Sequence, residues 1–499
     1  MAPAFLFLFG FTLATGDPAA VTATEESEAA SPTRRPYLFD VDLSLRITAR
    51  RNEPQTALLL SDMPGDALPL QWNAAGLLLP QSRRVYPSAV LSIGGEAEPL
   101  TGVNVKALLD SGELRSGASL DPKVSDKITA DGGEVSSWFT SGAFVRELAF
   151  SFAGRWGAFT LGRRLASVGD GLVYEDFGTG VSLSLDLEDT RSPITHIEAL
   201  LFAVGHTFDT LASPSPMLTL KLTHSLSMFE SIELFGSVYW ERDGTLRDVL
   251  TSVVSERVIA NNQGLMEQAR LTQLFFVDRP SDGRLFYLGT TGNWLPAAGL
   301  SLRAAIVGAA GRITVSSPTQ SYLFDLRGWA TALDASYGLS PSLGLGATLL
   351  YLSGDNPPKL TSTTPQRYHS FIGIAPYWAW TGLFFSGGLN QGLFPGRAAA
   401  AGVDGRGVDG GAVRGEWSGD TLRATLSAAF LWGPAGPPLK ELSGGGSFYG
   451  VETDLVVEWT LVELVGIGVE GDLFRPGSFF RRHDLAYRAV AQVRLHAGS

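Results

Sequence analysis

Apolar and polar residues alternate along most of this chain with a period of two. From Phe39 the odd positions read Phe39, Val41, Leu43, Leu45 and Ile47, and the even positions between them read Asp40, Asp42, Ser44, Arg46 and Thr48. The pattern returns in Leu218, Leu220 and Leu222 around Thr219 and Lys221, and in Leu422 to Trp432 around Arg423, Thr425 and Ser427. It is equally clear in Val451 to Leu461 around Glu452, Asp454 and Glu458. Successive side chains of a strand point to opposite faces, so each stretch predicts a strand with one apolar and one polar face. About ten residues is the length a tilted strand needs to cross a hydrocarbon core. Many such strands with no helical layer between them fit a closed barrel better than a soluble sandwich.

The pattern predicts strands at 37–49, 87–97, 101–111, 142–152, 155–164, 179–188, 194–206, 216–228 and 230–242. It continues at 283–295, 299–311, 322–338, 341–353, 404–418, 420–433, 447–460, 462–475 and 483–497. The segment 265–278 has a similar pattern, and link length decides against it. Barrels of the outer membrane alternate short periplasmic turns with long outer loops and have both termini inside. Short and long links alternate along the whole chain only when 265–278 lies inside an outer loop. The expected architecture is therefore all-β: a transmembrane, antiparallel, up-and-down barrel of about 18 strands with long extracellular loops.

Composition supports this class. Hydrophobic residues make up 44 % of the 499 positions and charged residues 18 %, yet no uninterrupted apolar run after the N-terminus reaches the length of a transmembrane helix. Apolar residues spread evenly are what a wall needs when every second residue meets lipid. The chain has no Cys, which excludes disulfides, thiolate metal sites and Cys nucleophiles. A net charge of −12 argues against nucleic acid as a partner, because a phosphate backbone is held by clustered Lys and Arg. Residues 1–20 read as a signal peptide, with the apolar stretch Ala4 to Ala14 followed by small residues, although no Lys or Arg precedes it. A polar linker follows over 21–36, and the barrel occupies 37–499.

Two outer loops are long enough to carry a task. In 243–282, Leu246, Val249, Leu250, Val253, Val254 and Val258 keep helical spacing, which fits a loop helix packed at the rim or one folded over the mouth. In 354–403 the aromatic block Tyr377, Trp378, Trp380, Phe384, Phe385 fits either the hydrophobic anchor of a folded-in loop or a sugar-stacking platform. Asp170 and Asp355 each lie beside Gly. Turn chemistry, in which Asp bonds its own backbone, is the simpler reading of both, and a Ca²⁺ or substrate contact is the other. Arg163 and Arg164 are adjacent on a strand, so one should enter the lumen and the other should reach a rim. None of the six His makes a metal-ligand spacing with another, and no Ser-His-Asp set can be placed. The chain is expected to be no enzyme and to use no cofactor or metal.

Two segments resemble a known family, the alginate-export porins. One is Arg146-Glu147, then Phe159-Thr160-Leu161-Gly162-Arg163-Arg164, then Gly169-Asp170-Gly171-Leu172. It is similar to a family hairpin whose second strand carries a Gly-Arg pair ahead of a Gly-Asp-Gly loop. The other is the strand pair 322–353 ending in Ser353-Gly354-Asp355-Asn356-Pro357, similar to the family's corner after a membrane strand. The resemblance implies an eighteen-stranded outer-membrane channel passing hydrophilic solutes or an exported polysaccharide, with periplasmic export partners. In that family the lumen of the alginate exporter is strongly basic. Here the expected pore-lining set is mixed: Asp40, Asp42, Glu452, Asp454 and Glu458 with Arg46, Lys221, Arg423, Arg488 and Arg494. Mixed signs favour polar, weakly charged cargo over a polyanion.

The sequence thus leads to a channel in the outer membrane of a Gram-negative bacterium, in contact with outer-membrane lipid and a hydrophilic solute or polysaccharide. A plugged barrel anchoring an envelope or surface complex is the alternative.

Overall fold

The computed structural model describes residues 37–51, 84–110, 114–115, 144–187, 195–204, 215–242, 244–247, 249–250, 281–316, 321–356, 365–378, 380–385, 389, 398–436, 445–480, 483 and 485–498. Residues 1–36, expected to be signal and linker, and the segment 265–278 lie outside them.

The wall begins with β1 (Tyr37–Arg51), β2 (Arg84–Leu100), β3 (Val103–Asp110), β4 (Phe144–Gly154), β5 (Gly157–Val168) and β6 (Tyr174–Leu187). It continues through β7 (Thr195–Val204), β8 (Ser215–Ser225), β9 (Ser231–Glu241), β10 (Ser281–Ala297), β11 (Leu300–Ser316) and β12 (Ser321–Ser340). It ends with β13 (Leu343–Leu352), β14 (Val408–Ser418), β15 (Leu422–Trp432), β16 (Phe448–Val462), β17 (Val465–Pro476) and β18 (Ala486–Gly498). Each strand pairs antiparallel with the next, and β18 pairs with β1 from Asp40↔Gly498 to Arg51↔Tyr487. The sheet closes on itself, and all eighteen strands coincide with the predicted stretches. Closure leaves the sheet without an open edge strand, which a membrane demands.

Polarity follows strand phase. Outward positions carry the exposed large side chains, among them Leu220, Leu288 and Leu349, at 57 %, 74 % and 61 % exposure. Trp417 and Trp459 sit outward near the short turns, and Trp329 and Trp432 near the long loops. An apolar belt between two aromatic girdles on a closed barrel marks an outer-membrane protein. At the short-turn end, Gly102 (φ 79) and Gly299 (φ 78) occupy left-handed positions that a side chain would strain.

Three local departures matter. The link expected over 165–178 contracts to 169–173, because β5 and β6 extend beyond the belt. Above the end of β13, residues 366–368 pair parallel with Phe324–Leu326 of β12 and continue the wall upward. Residues 372–373 then pair with 399–400 in a small separate ladder among buried residues. Within 243–282, residues 245–247, 249 and 250 are helical, with Leu246 and Leu250 fully buried as their spacing predicts. The remainder of that loop lies outside the described residues.

Candidate functional site

The inner face is built from the alternate residues of the same strands. Arg164 of β5 bonds Glu198 of β7 at 2.7 Å, and Lys221 of β8 approaches the other oxygen of Glu198 at 3.3 Å. One row nearer the short turns, His196 meets Asp186 at 2.6 Å, and Thr223 donates to Glu233 at 3.4 Å. Across the bore, Arg414 of β14 clamps both oxygens of Asp334 at 2.7 and 3.0 Å while its Nε donates to Glu416. Such bidentate pairing fixes the guanidinium plane as well as its charge. At the seam, Arg494 bonds Asp42 at 2.9 Å and Gln492 donates to Ser44 at 3.1 Å. These groups remain partly exposed, so water reaches this level of the lumen.

Toward the long loops the interior changes character. Residues 371–378 and 380–385 turn inward and are mostly buried, with Phe384 against Phe385, Tyr449 and Phe474, and Trp378 beside Phe371 and Trp380. The aromatic block is the anchor of a folded-in loop. Its backbone is held by carboxylates of the wall. Glu452 accepts from Thr381 Oγ1 at 2.9 Å, from the Phe384 amide at 2.9 Å and from the Leu383 amide. Asp454 accepts from the Gly382 amide at 3.2 Å, and Glu470 from the Leu389 amide at 2.6 Å. Arg46 donates to the Leu389 carbonyl at 3.1 Å. Arg488 lies between Glu470 and Asp472, at 2.5 and 2.9 Å, and compensates this otherwise acidic wall. Gly382 fits because a Cβ there would lie 2.6 Å from the Asp472 carboxylate.

A second inward element meets the first. The turn 169–173 carries Asp170 at φ 58, and its carboxylate pairs with Arg303 of β11. The Tyr377 amide donates to the Gly171 carbonyl at 3.0 Å, and the Ile374 amide to Val173 at 2.8 Å. Asp170 therefore crosses the lumen as well as shaping its turn. Asp355 behaves as turn chemistry predicts, accepting from the amides of Asn356 at 2.7 Å and His369 at 2.8 Å. Glu241, fully buried at the end of β9, accepts from Tyr239, Ser281 and the amides of Leu246 and Arg247, and so fixes the loop helix to the rim.

The ten sequence-selected residues divide into two groups. Asp40, Asp42, Lys221, Arg423, Glu458 and Arg494 lie on the inner face and retain exposure. Arg423 and Glu458 stand directly opposite in register. Arg46, Glu452, Asp454 and Arg488 are 8 %, 0 %, 6 % and 2 % exposed, because the inward loop covers this sector. The structure thus gives these four a dry environment, where strand phase alone suggested a wet one. Of the adjacent arginines, Arg164 enters the lumen, while Arg163 is not at a rim but buried at 2 %, donating to Thr179. Sequence reading passed over Glu470, Asp472, Glu198, Asp334 and Arg414. All lie on the inward phase of predicted strands, so alternation alone was enough to find them. Asp40, Asp42 and His496 bring ligand atoms within 4.8 Å of one another, with Arg494 already engaging Asp42.

No family model and no curated protein matches the chain. Among solved structures, it is similar to the outer membrane protein opdK of Pseudomonas aeruginosa, at 10 % identity and TM-score 0.48, covering 93 % of this chain and 99 % of that one. It is similar to OccAB4 of Acinetobacter baumannii at 9 % identity and TM-score 0.48, covering 92 % and 98 %. OprD of Pseudomonas aeruginosa shares 11 % identity at TM-score 0.46, covering 92 % and 94 %. The barrel assignment rests on the chain's own pairing and closure.

Proposed function

We propose that the chain is a passive outer-membrane channel for small hydrophilic solutes. The observation that carries this reading is the set of paired charges on the inner wall that stay partly exposed: Arg164–Glu198–Lys221, Asp334–Arg414–Glu416 and Arg494–Asp42. Paired opposite signs supply polar contacts at every level without a large net field, which suits polar, weakly charged cargo. In this reading Asp40, Asp42, Lys221, Arg423, Glu458 and Arg494 border the path. Arg46, Glu452, Asp454 and Arg488 shape it through the loop they hold. Export of a polysaccharide, with periplasmic export partners, rests on the two sequence segments that resemble the alginate-export porins, and the mixed wall gives a polyuronate no continuous basic track. Residues 1–20 serve as the export signal.

A second reading, a plugged anchoring barrel, draws on one observation: the long-loop half is filled by a dry apolar cluster that includes Leu172, Phe235, Tyr287, Phe324, Phe371 and Ile374. Planar-bilayer recording of the refolded protein separates the two. Discrete conductance steps that scale with salt support the channel. A correctly folded barrel that inserts and never conducts supports the plug.

A further inference from the structure

The outer face carries a charged feature that the channel reading does not use. Arg284 of β10, Arg312 of β11, Asp325 of β12 and Arg367 stand in one transverse row, linked by the registers Arg284↔Arg312, Arg312↔Asp325 and Asp325↔Arg367. Their outward phase is that of exposed apolar residues on the same strands: Phe286 and Leu288 below Arg284, Ile306 on the face of Arg312, and Trp329 on that of Asp325 and Arg327. Arg327 sits one step nearer the belt, in the row Phe286↔Ala310↔Arg327. Beneath it Trp329 stacks on Tyr351 with ring centroids 4.2 Å apart.

Four guanidiniums thus stand at the upper edge of the apolar belt, at the end where the long loops emerge. Arg312 is paired with Asp325 at 2.7 Å. Arg284, Arg327 and Arg367 make no hydrogen bond or ion pair among the described residues. Among the described residues, Asp282, outward and one row higher, is the other acid on this face, which leaves an excess of positive charge there. Like charges directly opposite on a sheet repel, as Arg284 and Arg312 do, so the arrangement favours an anion that both can reach. Guanidiniums match phosphate oxygens in bidentate geometry. An aromatic pair and exposed aliphatic side chains directly below suit acyl chains, because Trp and Tyr rings settle at the headgroup level.

We propose that this patch binds the phosphate of a phosphorylated glycolipid in the outer leaflet, with its acyl chains against Phe286, Leu288, Ile306 and Trp329. The proposal rests on the barrel spanning the outer membrane with its long loops outside, and is independent of whether the lumen conducts. Refolded full-length protein in detergent would be mixed with bis-phosphorylated lipid A or with the same lipid after dephosphorylation, and bound lipid counted by native mass spectrometry. The bis-phosphorylated form should be retained, and loss of both phosphates should weaken retention by about tenfold or more. R284Q/R327Q/R367Q should lose the preference while leaving Arg312–Asp325, heat-modifiable gel migration and bilayer behaviour unchanged. R284K/R327K/R367K should keep part of it. Equal retention of the two lipids by the unsubstituted protein overturns the proposal, as does an unchanged preference in the glutamine variant. Displacement of the lipid by millimolar inorganic phosphate would assign the site to free phosphate and overturn the lipid assignment.

Discussion

Replacing Glu452 by Gln tests the hold of the wall on the inward loop. Glu452 is fully buried and accepts three hydrogen bonds, from Thr381 Oγ1 and from the amides of Leu383 and Phe384. A glutamine of the same shape offers one acceptor oxygen, and its NH2 group turns towards donors. With that oxygen in the Oε2 position it still accepts from Thr381 Oγ1 and the Phe384 amide, and the Leu383 amide is left facing the NH2 group in a dry site. A buried unsatisfied donor costs about 1–3 kcal/mol, so about 2 kcal/mol is a central figure for E452Q. That corresponds to a population of the detached loop raised roughly thirtyfold. The wall itself should persist, because the backbone of β16 pairs on both sides along its length. Hydrogen exchange of the refolded barrel should show the amides of Leu383 and Phe384 exchanging about thirtyfold faster, with those of β16 unaltered. Unchanged protection at those two amides would refute the latch, whatever the conductance does.

Glu458 retains exposure opposite Arg423, so Glu458→Gln should shift reversal potentials toward anions without loosening the loop, and an unchanged potential in a conducting variant would remove Glu458 from the path. Arg488→Ala strips Glu470 and Asp472 of their buried partner and should destabilise the barrel by about 3–5 kcal/mol, read as a lower urea midpoint for unfolding from vesicles. Asp170→Asn keeps the turn residue but removes the charge facing Arg303, so amides of 169–173 should exchange faster while β5 and β6 stay protected. Single cysteines at Asn356 and Ala298, which lie at opposite ends of the barrel, should differ on intact cells, with an impermeant reagent labelling only the former. Labelling of Ala298 alone would invert the orientation.

Period-two alternation fixed where the chain crosses the membrane, because in a strand the spacing of apolar residues is also the direction of their side chains. For the same reason it identified Asp40, Asp42, Lys221 and Glu458 as inward, and link length gave eighteen strands, the number that forms the closed wall. The four dry residues show where that reasoning ends. Phase gives the side of the wall on which Glu452 lies, and only tertiary structure decides whether water or protein meets it there. Its partner Leu383 is 69 residues away in the sequence, and Arg46 and Leu389 are separated by 343. Nothing periodic connects such pairs. The loop returns into the bore because Phe384 finds Tyr449 and Phe474, and its amides find carboxylates on the adjacent strands β16 and β17. Asp170 follows the same logic: a local rule predicted its turn, but its pairing with Arg303 depends on the turn being carried across a closed barrel. Short-range periodicity specifies the wall, and the filling of its interior is set by contacts that exist only once the wall has closed.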